Sequence, residues 1–250
     1  MIYTKEHLKN DLLQAGFRPS DTVLIHSSMK SIGEVEGRAD GVLDTLMDFF
    51  GKEGLLVFPT LSYPIFDKPD EVYSPEDTPA VVGLLPEMFR KRPGVIRSRH
   101  PTHSLAAFGP DAASFCAGHE KFSTPCARTS PWGRLYCRHA KIFFIGTRSI
   151  SCCTYFHGVE EWISVPDSFS SEPYGIKCRD AEGKVYVLPT YRHIGHHNQY
   201  YKKTTELLLA KDALRKVRFG AAECFLMDAR KAADIVLEIL GADPGYFTRP

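Results

Sequence analysis

The sequence lacks most of the features that place a chain at a glance. Its seven cysteines (116, 126, 137, 152, 153, 178 and 224) include no C-x-x-C pair. Their odd number and uneven spacing argue against a disulfide framework and suit buried thiols in a reducing compartment, so a cytoplasmic protein is expected. Long apolar runs are missing too. Stretches such as Gly54-Leu-Leu-Val-Phe58 are far too short to span a bilayer, and the polar N-terminus has no signal-peptide core. Charge of one sign is absent: 31 Lys and Arg against 30 Asp and Glu leave a formal net charge of +1. Nucleic acid and membranes are therefore not expected partners. Nor is there a G-x-G-x-x-G after a strand, a G-x-x-x-x-G-K-[ST] loop, a G-x-S-x-G elbow or an H-E-x-x-H pair. Those absences take weight from dinucleotide enzymes, P-loop NTPases, α/β-hydrolases and helix-borne zinc proteases.

What is present reads as one globular domain of 250 residues, 43% hydrophobic and 24% charged. Residues 4–16 form an amphipathic helix with Thr4 as cap, and 22–26 a buried strand. A polar loop over 27–40 leads to a helix over 41–50, stopped by Gly51, and then to a strand over 54–58. This is a strand–loop–helix–strand unit of the parallel α/β kind. Residues 62–80, rich in Pro, Asp, Ser and Tyr, form a long surface excursion. A helix follows over 81–92, strands over 102–108 and 141–146, and a helix over 153–163. Beyond Pro166, two alternating runs about Asp180–Gly183 predict a β-hairpin within 173–192, and 199–215 and 226–240 predict helices. The expected fold class is α/β: a central mixed or mostly parallel sheet flanked by helices, with a smaller β-hairpin plus helix region toward the C-terminus. Residues 1–165 would form the core of the 1–250 domain, and 166–250 the appended part. The active site should lie where the loops after the strands at 22–26, 54–58 and 141–146 converge.

Three segments hold chemistry. Val23-Leu-Ile-His-Ser-Ser-Met-Lys-Ser-Ile-Gly33 offers hydroxyls, amides and a glycine directly after a strand, either as an anion cradle or as a solvated turn. Val95-Ile-Arg-Ser-Arg-His-Pro-Thr-His-Ser-Leu-Ala-Ala-Phe-Gly109 carries His100 and His103, whose spacing alone does not make a metal site. The third segment runs from Phe144-Ile-Gly146 to Trp162 and sets Thr154, His157 and Glu160 three apart on a helix. His157 can reach Thr154 on one side and Glu160 or Glu161 on the other, and a carboxylate beside an imidazole makes it a better general base.

In this order the segments resemble the aminoglycoside 3-N-acetyltransferase family of CoA-dependent enzymes. The blocks that carry the likeness are His26-Ser27-Ser28 with Gly33; Val57 to Thr60; Arg97, Ser98, His100, Pro101, Ser104, Ala107 and Gly109; Ser130, Pro131 and Leu135; and Thr154, His157 and Glu160. They span about residues 5 to 165. The resemblance implies an acyl-CoA-dependent N-acyltransferase acting on an amine of an amino sugar, with acetyl-CoA or another short acyl-CoA as donor and no metal. His157 would be the general base, Glu160 its orienting carboxylate, and Thr154 a donor to the developing oxyanion or the departing sulfur. Ser27, Ser28, Ser31, Gly33, Thr60, His100 and Ser104 would bind the cofactor. The expected partner is a small-molecule amine acceptor, with self-association left open.

This chain departs from aminoglycoside-modifying members, which resemble one another in being longer and more acidic around the acceptor. Here Tyr191-Arg-His-Ile-Gly-His-His-Asn-Gln-Tyr-Tyr-Lys-Lys203 is basic and aromatic, which suits an anionic acceptor such as a nucleotide-linked amino sugar as well as a solvated loop. The competing functions are a CoA- or nucleotide-binding protein without turnover, and a metal-dependent hydrolase using His100, His103 and the histidines of 193–197.

Overall fold

The structure, a computed structural model, describes residues 1–249. The first half builds the centre of a sheet. Helix α1 (Lys5–Gln14), capped by Thr4, precedes strand β1 (Thr22–Ser27); α2 (Arg38–Phe50) then leads to β2 (Leu55–Pro59). After the excursion come α3 (Leu84–Phe89), β3 (Ile96–Arg97), β4 (Leu105–Phe108), α4 (Ala112–Cys116) and α5 (Pro131–Cys137). Strand β5 (Lys141–Ile145) feeds α6 (Thr154–Trp162) through a loop and a 3₁₀ turn at Ile150–Cys152. The hairpin β6 (Tyr174–Arg179) and β7 (Val185–Thr190) follows, then a 3₁₀ stretch over His197–Thr204 and α7 (Thr205–Ala210). The chain ends in β8 (Leu214–Phe219), β9 (Ala222–Asp228) and α8 (Ala229–Ala242).

Seven strands form one mixed sheet in the order β3-β4-β2-β1-β5-β9-β8. Only β2-β1-β5 run parallel; β4, β3, β9 and β8 join antiparallel. Apart from His26, the central strands are apolar at their buried positions because both faces are covered. Val23, Ile25, Phe143 and Ile145 face the side covered by α1, α2 and α3. Leu24, Val57, Ile142 and Phe144 face the side covered by α4, α5, α6 and α8. The period of two along each strand thus feeds two cores rather than one core and solvent. The hairpin β6–β7 forms its own small core with Ile65, Phe66 and Tyr73 of the 62–80 excursion.

The expected α/β class, flanking helices and C-terminal hairpin are all present, with the sheet mixed rather than mostly parallel. The last sixty residues differ from expectation. The helix expected at 199–215 gives way to a 3₁₀ stretch, a short α7 and strand β8, while the helix expected at 226–240 starts late because β9 runs to Asp228 and pairs with β8 in a second hairpin on the main sheet. Only the stretch from Ala229 onward is the long helix expected there. Phe219 pairs with Ala222, so Gly220-Ala221 make a two-residue turn. Gly220 has φ +60, and a Cβ there would sit 2.5 Å from the Ile32 carbonyl oxygen. Glycine is what allows this tight hairpin. Residues 166–249 are therefore shared between the small hairpin core and the main sheet. No helix among the described residues is long and apolar enough to cross a membrane.

Candidate active site

The loops that follow β1, β2 and β5 converge at one end of the parallel strands, where three adjoining hollows open. A wide cleft of about 520 Å³ is bordered by Leu61, Val82, His103, Thr154, His157 and His193. Val82, Cys152 and Thr154 also border a narrow neck of about 110 Å³, together with His26, Ser27 and Thr147. Thr147 in turn borders a second cleft of about 520 Å³, whose wall carries Ser31, Arg148, Lys216 and Arg218. Three buried polar atoms on the neck, His26 Nε2, Ser27 Oγ and Thr147 Oγ1, have no protein partner. Buried polar atoms are almost always hydrogen-bonded, so three orphans around one channel suit a polar ligand threaded through it. His26 is fixed by stacking on Phe144, with centroids 5.2 Å apart, and burial alone lowers its pKa to about 4.

Helix α6 presents Thr154, His157 and Glu160 on one face. Glu160 is buried and saturated: its Oε1 lies 2.6 Å from Nδ1 of His197 and its Oε2 2.5 Å from the hydroxyl of Tyr201. The same hydroxyl lies 2.8 Å from Nδ1 of His157, while the direct distance from that nitrogen to Glu160 is 3.4 Å. Burial pushes the Glu160 carboxyl up, but hydrogen bonds from His157, His197 and Tyr201 outweigh it and hold the pKa down to about 2. With Glu160 ionised, Tyr201 donates its single proton to the carboxylate. The phenol oxygen is then left to accept from His157, whose Nδ1 carries the hydrogen and whose Nε2 keeps its lone pair.

Glu161 points the other way. It accepts from the backbone N–H of Cys126 at 2.9 Å, and its Oε1 lies 3.1 Å from Nε2 of His193. Burial raises its pKa to about 8, and burial also holds His193 well below the usual histidine range. Two neighbouring glutamates thus take opposite protonation states because only one is surrounded by donors. His193 stacks on His157 with ring centroids 4.4 Å apart, and His103 packs 5.1 Å from His193. Among the described residues no group of three or more His, Cys, Asp or Glu side chains is arranged to hold a metal ion.

The other expected residues divide into two groups. Ser27 lines the neck, Ser31 borders the basic cleft, and Ser28 accepts from Ser31 Oγ at 3.0 Å. Thr60, His100 and Ser104 are fully buried and line none of the hollows. Thr60 and Ser104 are taken up by the guanidinium of Arg97, which donates to Thr60 Oγ1, Ser104 Oγ and the carbonyls of Thr60 and Pro75. His100 accepts from the N–H groups of Thr102 and His103 and packs against His119. Gly33 stands at an exposed turn with φ +89, close to Tyr3 and Ala221, away from the neck. These four therefore shape the loops behind the site. Nothing in the local spacing marks Tyr201, His197 and His193 as neighbours of His157 and Glu160. Their only trace in the sequence is the basic, aromatic run 191–203.

Residues 24–241 match the aminoglycoside 3-N-acetyltransferase family. The chain belongs to that family. As a member it is an acyl-CoA-dependent N-acetyltransferase with acetyl-CoA as donor, and the readings as a binding protein without turnover or a metal-dependent hydrolase fall away. It is similar to the SPbeta prophage-derived aminoglycoside N(3')-acetyltransferase-like protein YokD of Bacillus subtilis, 28% identical over 251 residues that cover 92% of this chain and 90% of that protein. It is also similar to aminoglycoside N(3)-acetyltransferase IX of Micromonospora chalcea, 27% identical across 90% of this chain and 89% of that one. Among solved structures, aminoglycoside acetyltransferase AAC(3)-Xa superposes on this acetyltransferase with a TM-score of 0.85 at 25% identity, covering 100% of this chain and 95% of the other. The YokD crystal structure does so with a TM-score of 0.83 at 25% identity, covering 97% and 95%.

Proposed function

We propose that this acetyltransferase moves the acetyl group of acetyl-CoA onto an amine of a sugar-like small molecule held in the wide cleft, with His157 as the general base. The observation that carries the reading is the array behind His157. Glu160, fixed by His197 and Tyr201, holds the imidazole through the Tyr201 hydroxyl with Nδ1 occupied. That leaves Nε2 to take a proton from the attacking amine, and the buried carboxylate stabilises the imidazolium that forms. The amine nitrogen attacks the thioester carbonyl, the C–S bond breaks, and the sulfur leaves as the CoA thiol once protonated. The products are an amide and CoA, with no covalent enzyme intermediate.

Donor binding follows from the three adjoining hollows. The neck suits the narrow pantetheine arm, whose amides would pair with the orphaned Ser27 Oγ and Thr147 Oγ1. Arg148, Lys216 and Arg218 of the basic cleft, with Ser31, suit the phosphates. Thr154, on the boundary of neck and wide cleft, is placed to donate to the oxyanion or to the departing sulfur. Thr60, Ser104 and His100 act from behind the wall. The similar Micromonospora chalcea protein is an aminoglycoside N(3)-acetyltransferase, which supports an amino-sugar acceptor here.

The test is thiol release from acetyl-CoA with an amine panel, run beside calorimetry of CoA binding. His157→Ala should lower kcat by about 10²- to 10⁴-fold and leave CoA affinity unchanged. Full activity in that variant would sink the proposed role of His157.

A further inference from the structure

We infer that the acceptor of this enzyme is an amino compound bearing an oxyanion, a carboxylate or phosphate, and not a polycation. The inference rests on the wide cleft being the acceptor site of the proposed transferase. None of the described residues lining that cleft carries a carboxylate. Its walls combine apolar and aromatic side chains such as Leu61 and Phe66 with hydroxyl, amide and imidazole groups, and Arg192 is the one guanidinium or ammonium among them.

The carboxylates that follow Phe66 in the chain lie outside the cleft lining, in surface ion pairs. Asp67 pairs with Arg192 at 2.9 Å, Glu71 with Lys68 at 2.8 Å, and Asp70 with Lys177 at 3.3 Å. Below the floor, Glu160 is engaged on both oxygens by His197 and Tyr201, and Glu161 keeps its proton. An acceptor with several ammonium groups would lose the hydration of each on entering and find no free carboxylate to replace it. That loss is unfavourable for every charge brought in. Only one amine needs to reach His157, and it must be neutral to attack.

Arg192 supplies the positive counterpart. Its guanidinium borders the cleft, lies 5.3 Å over the Phe66 ring, and has as its ion-pair partner Asp67, whose side chain is 65% exposed. An ion pair with so exposed a partner is weak. A ligand carboxylate or phosphate can take the guanidinium in a two-point contact while Asp67 returns to water. Tyr63 and Phe66 offer faces for a sugar ring between the two ends. The guanidinium at the rim then attracts the oxyanion and turns the amine inward.

The experiment compares four acceptors by thiol release: glucosamine, glucosamine 6-phosphate, muramic acid and kanamycin. The phosphate-bearing or the carboxylate-bearing sugar should exceed both glucosamine and kanamycin in kcat/KM by about 10-fold or more. Whichever wins names the oxyanion. Its advantage should shrink as salt rises from about 50 to about 500 mM. Arg192→Glu should abolish that advantage and raise kanamycin turnover, while Arg192→Lys should keep part of it. Kanamycin as the best acceptor, with its kcat/KM unmoved by Arg192→Glu, would overturn the inference and leave the acetyltransferase reading intact. Thiol release with none of the four would overturn the acetyltransferase reading on which the inference stands.

Discussion

The hydroxyl of Tyr201 lies 2.8 Å from Nδ1 of His157 and forms the link between that imidazole and the buried Glu160. Because the carboxylate accepts the phenol proton, the phenol oxygen must accept from the imidazole. The tautomer of His157 is thus set by a residue 44 positions away. Tyr201→Phe keeps the ring packed against Phe156 and Phe247 and removes only the link. A lost hydrogen bond to a charged network is worth about 1.5–3 kcal/mol, so kcat should fall by about 10- to 100-fold with the KM for acetyl-CoA little changed. Steady-state kinetics over a pH series checks this. An unchanged kcat and pH profile would mean the hydroxyl has no part in setting His157.

Glu160 makes stability depend on acid. Its carboxyl is held at about 2, below the ordinary 4.5, so the folded state binds its proton less tightly than the unfolded chain does. The stabilisation is therefore complete above about pH 4.5 and is lost as pH falls from there toward 2. Glu160→Gln should remove that dependence and also lower activity, because the neutral amide no longer stabilises an imidazolium on His157. Urea denaturation at pH 3 to 7 measures the first effect. Parallel acid profiles for the variant and the unmodified chain would show that Glu160 is not the group responsible.

Glu161 has the opposite sign. A carboxyl raised from 4.5 to about 8 holds its proton more tightly when folded, so stability falls as pH climbs through that window and is flat below it. Glu161→Gln keeps the acceptor oxygen for the Cys126 N–H and has nothing to titrate. Between pH 5 and 8 the unmodified protein should lose melting temperature that the variant keeps. At pH 8 the variant should lead by a margin on the order of 4 kcal/mol. Superimposable stability profiles across pH 5 to 8 would refute the neutral assignment of Glu161.

Much of this arrangement is legible in the residues, and what is not has a physical reason. Strands such as Lys141-Ile-Phe-Phe-Ile145 stand out because burial on both faces demands an unbroken apolar run. The i, i+3 spacing of His157 and Glu160 can be read because a helix sets it locally. The choice between Glu160 and Glu161 cannot be read that way, since Tyr201, His197 and Cys126 decide it, and only tertiary folding brings them there. The edge strand Leu214-Arg-Lys-Val-Arg-Phe219 is hidden for another reason. Only its end residues are buried, so its charged middle shows neither alternation nor an apolar run. Thr60, His100 and Ser104 carry motif identities that suggest contact with a ligand, yet Arg97 claims two of them and burial claims the third.

Gly146 ties the backbone to the cleft proposed for the donor. It ends β5 with φ +63, and a Cβ there would sit 2.3 Å from Ser31 Cβ and 2.8 Å from Ser31 Oγ. Ser31 is held by donating to the Gly146 carbonyl at 3.1 Å and to Ser28 at 3.0 Å, and it borders the basic cleft. Gly146→Ala therefore adds a left-handed alanine, at about 1 kcal/mol, to a contact that pushes Ser31 out of place. The expected result is a stability loss of about 2–3 kcal/mol and a KM for acetyl-CoA raised by about 10-fold, with kcat changed much less. Gly183→Ala is the matched comparison, because its φ of +86 is as demanding while nothing lies within 4 Å of the added carbon. That variant should show the backbone cost alone and normal kinetics. If both glycine variants bind acetyl-CoA equally well, the contact between Gly146 and Ser31 does not shape the donor site.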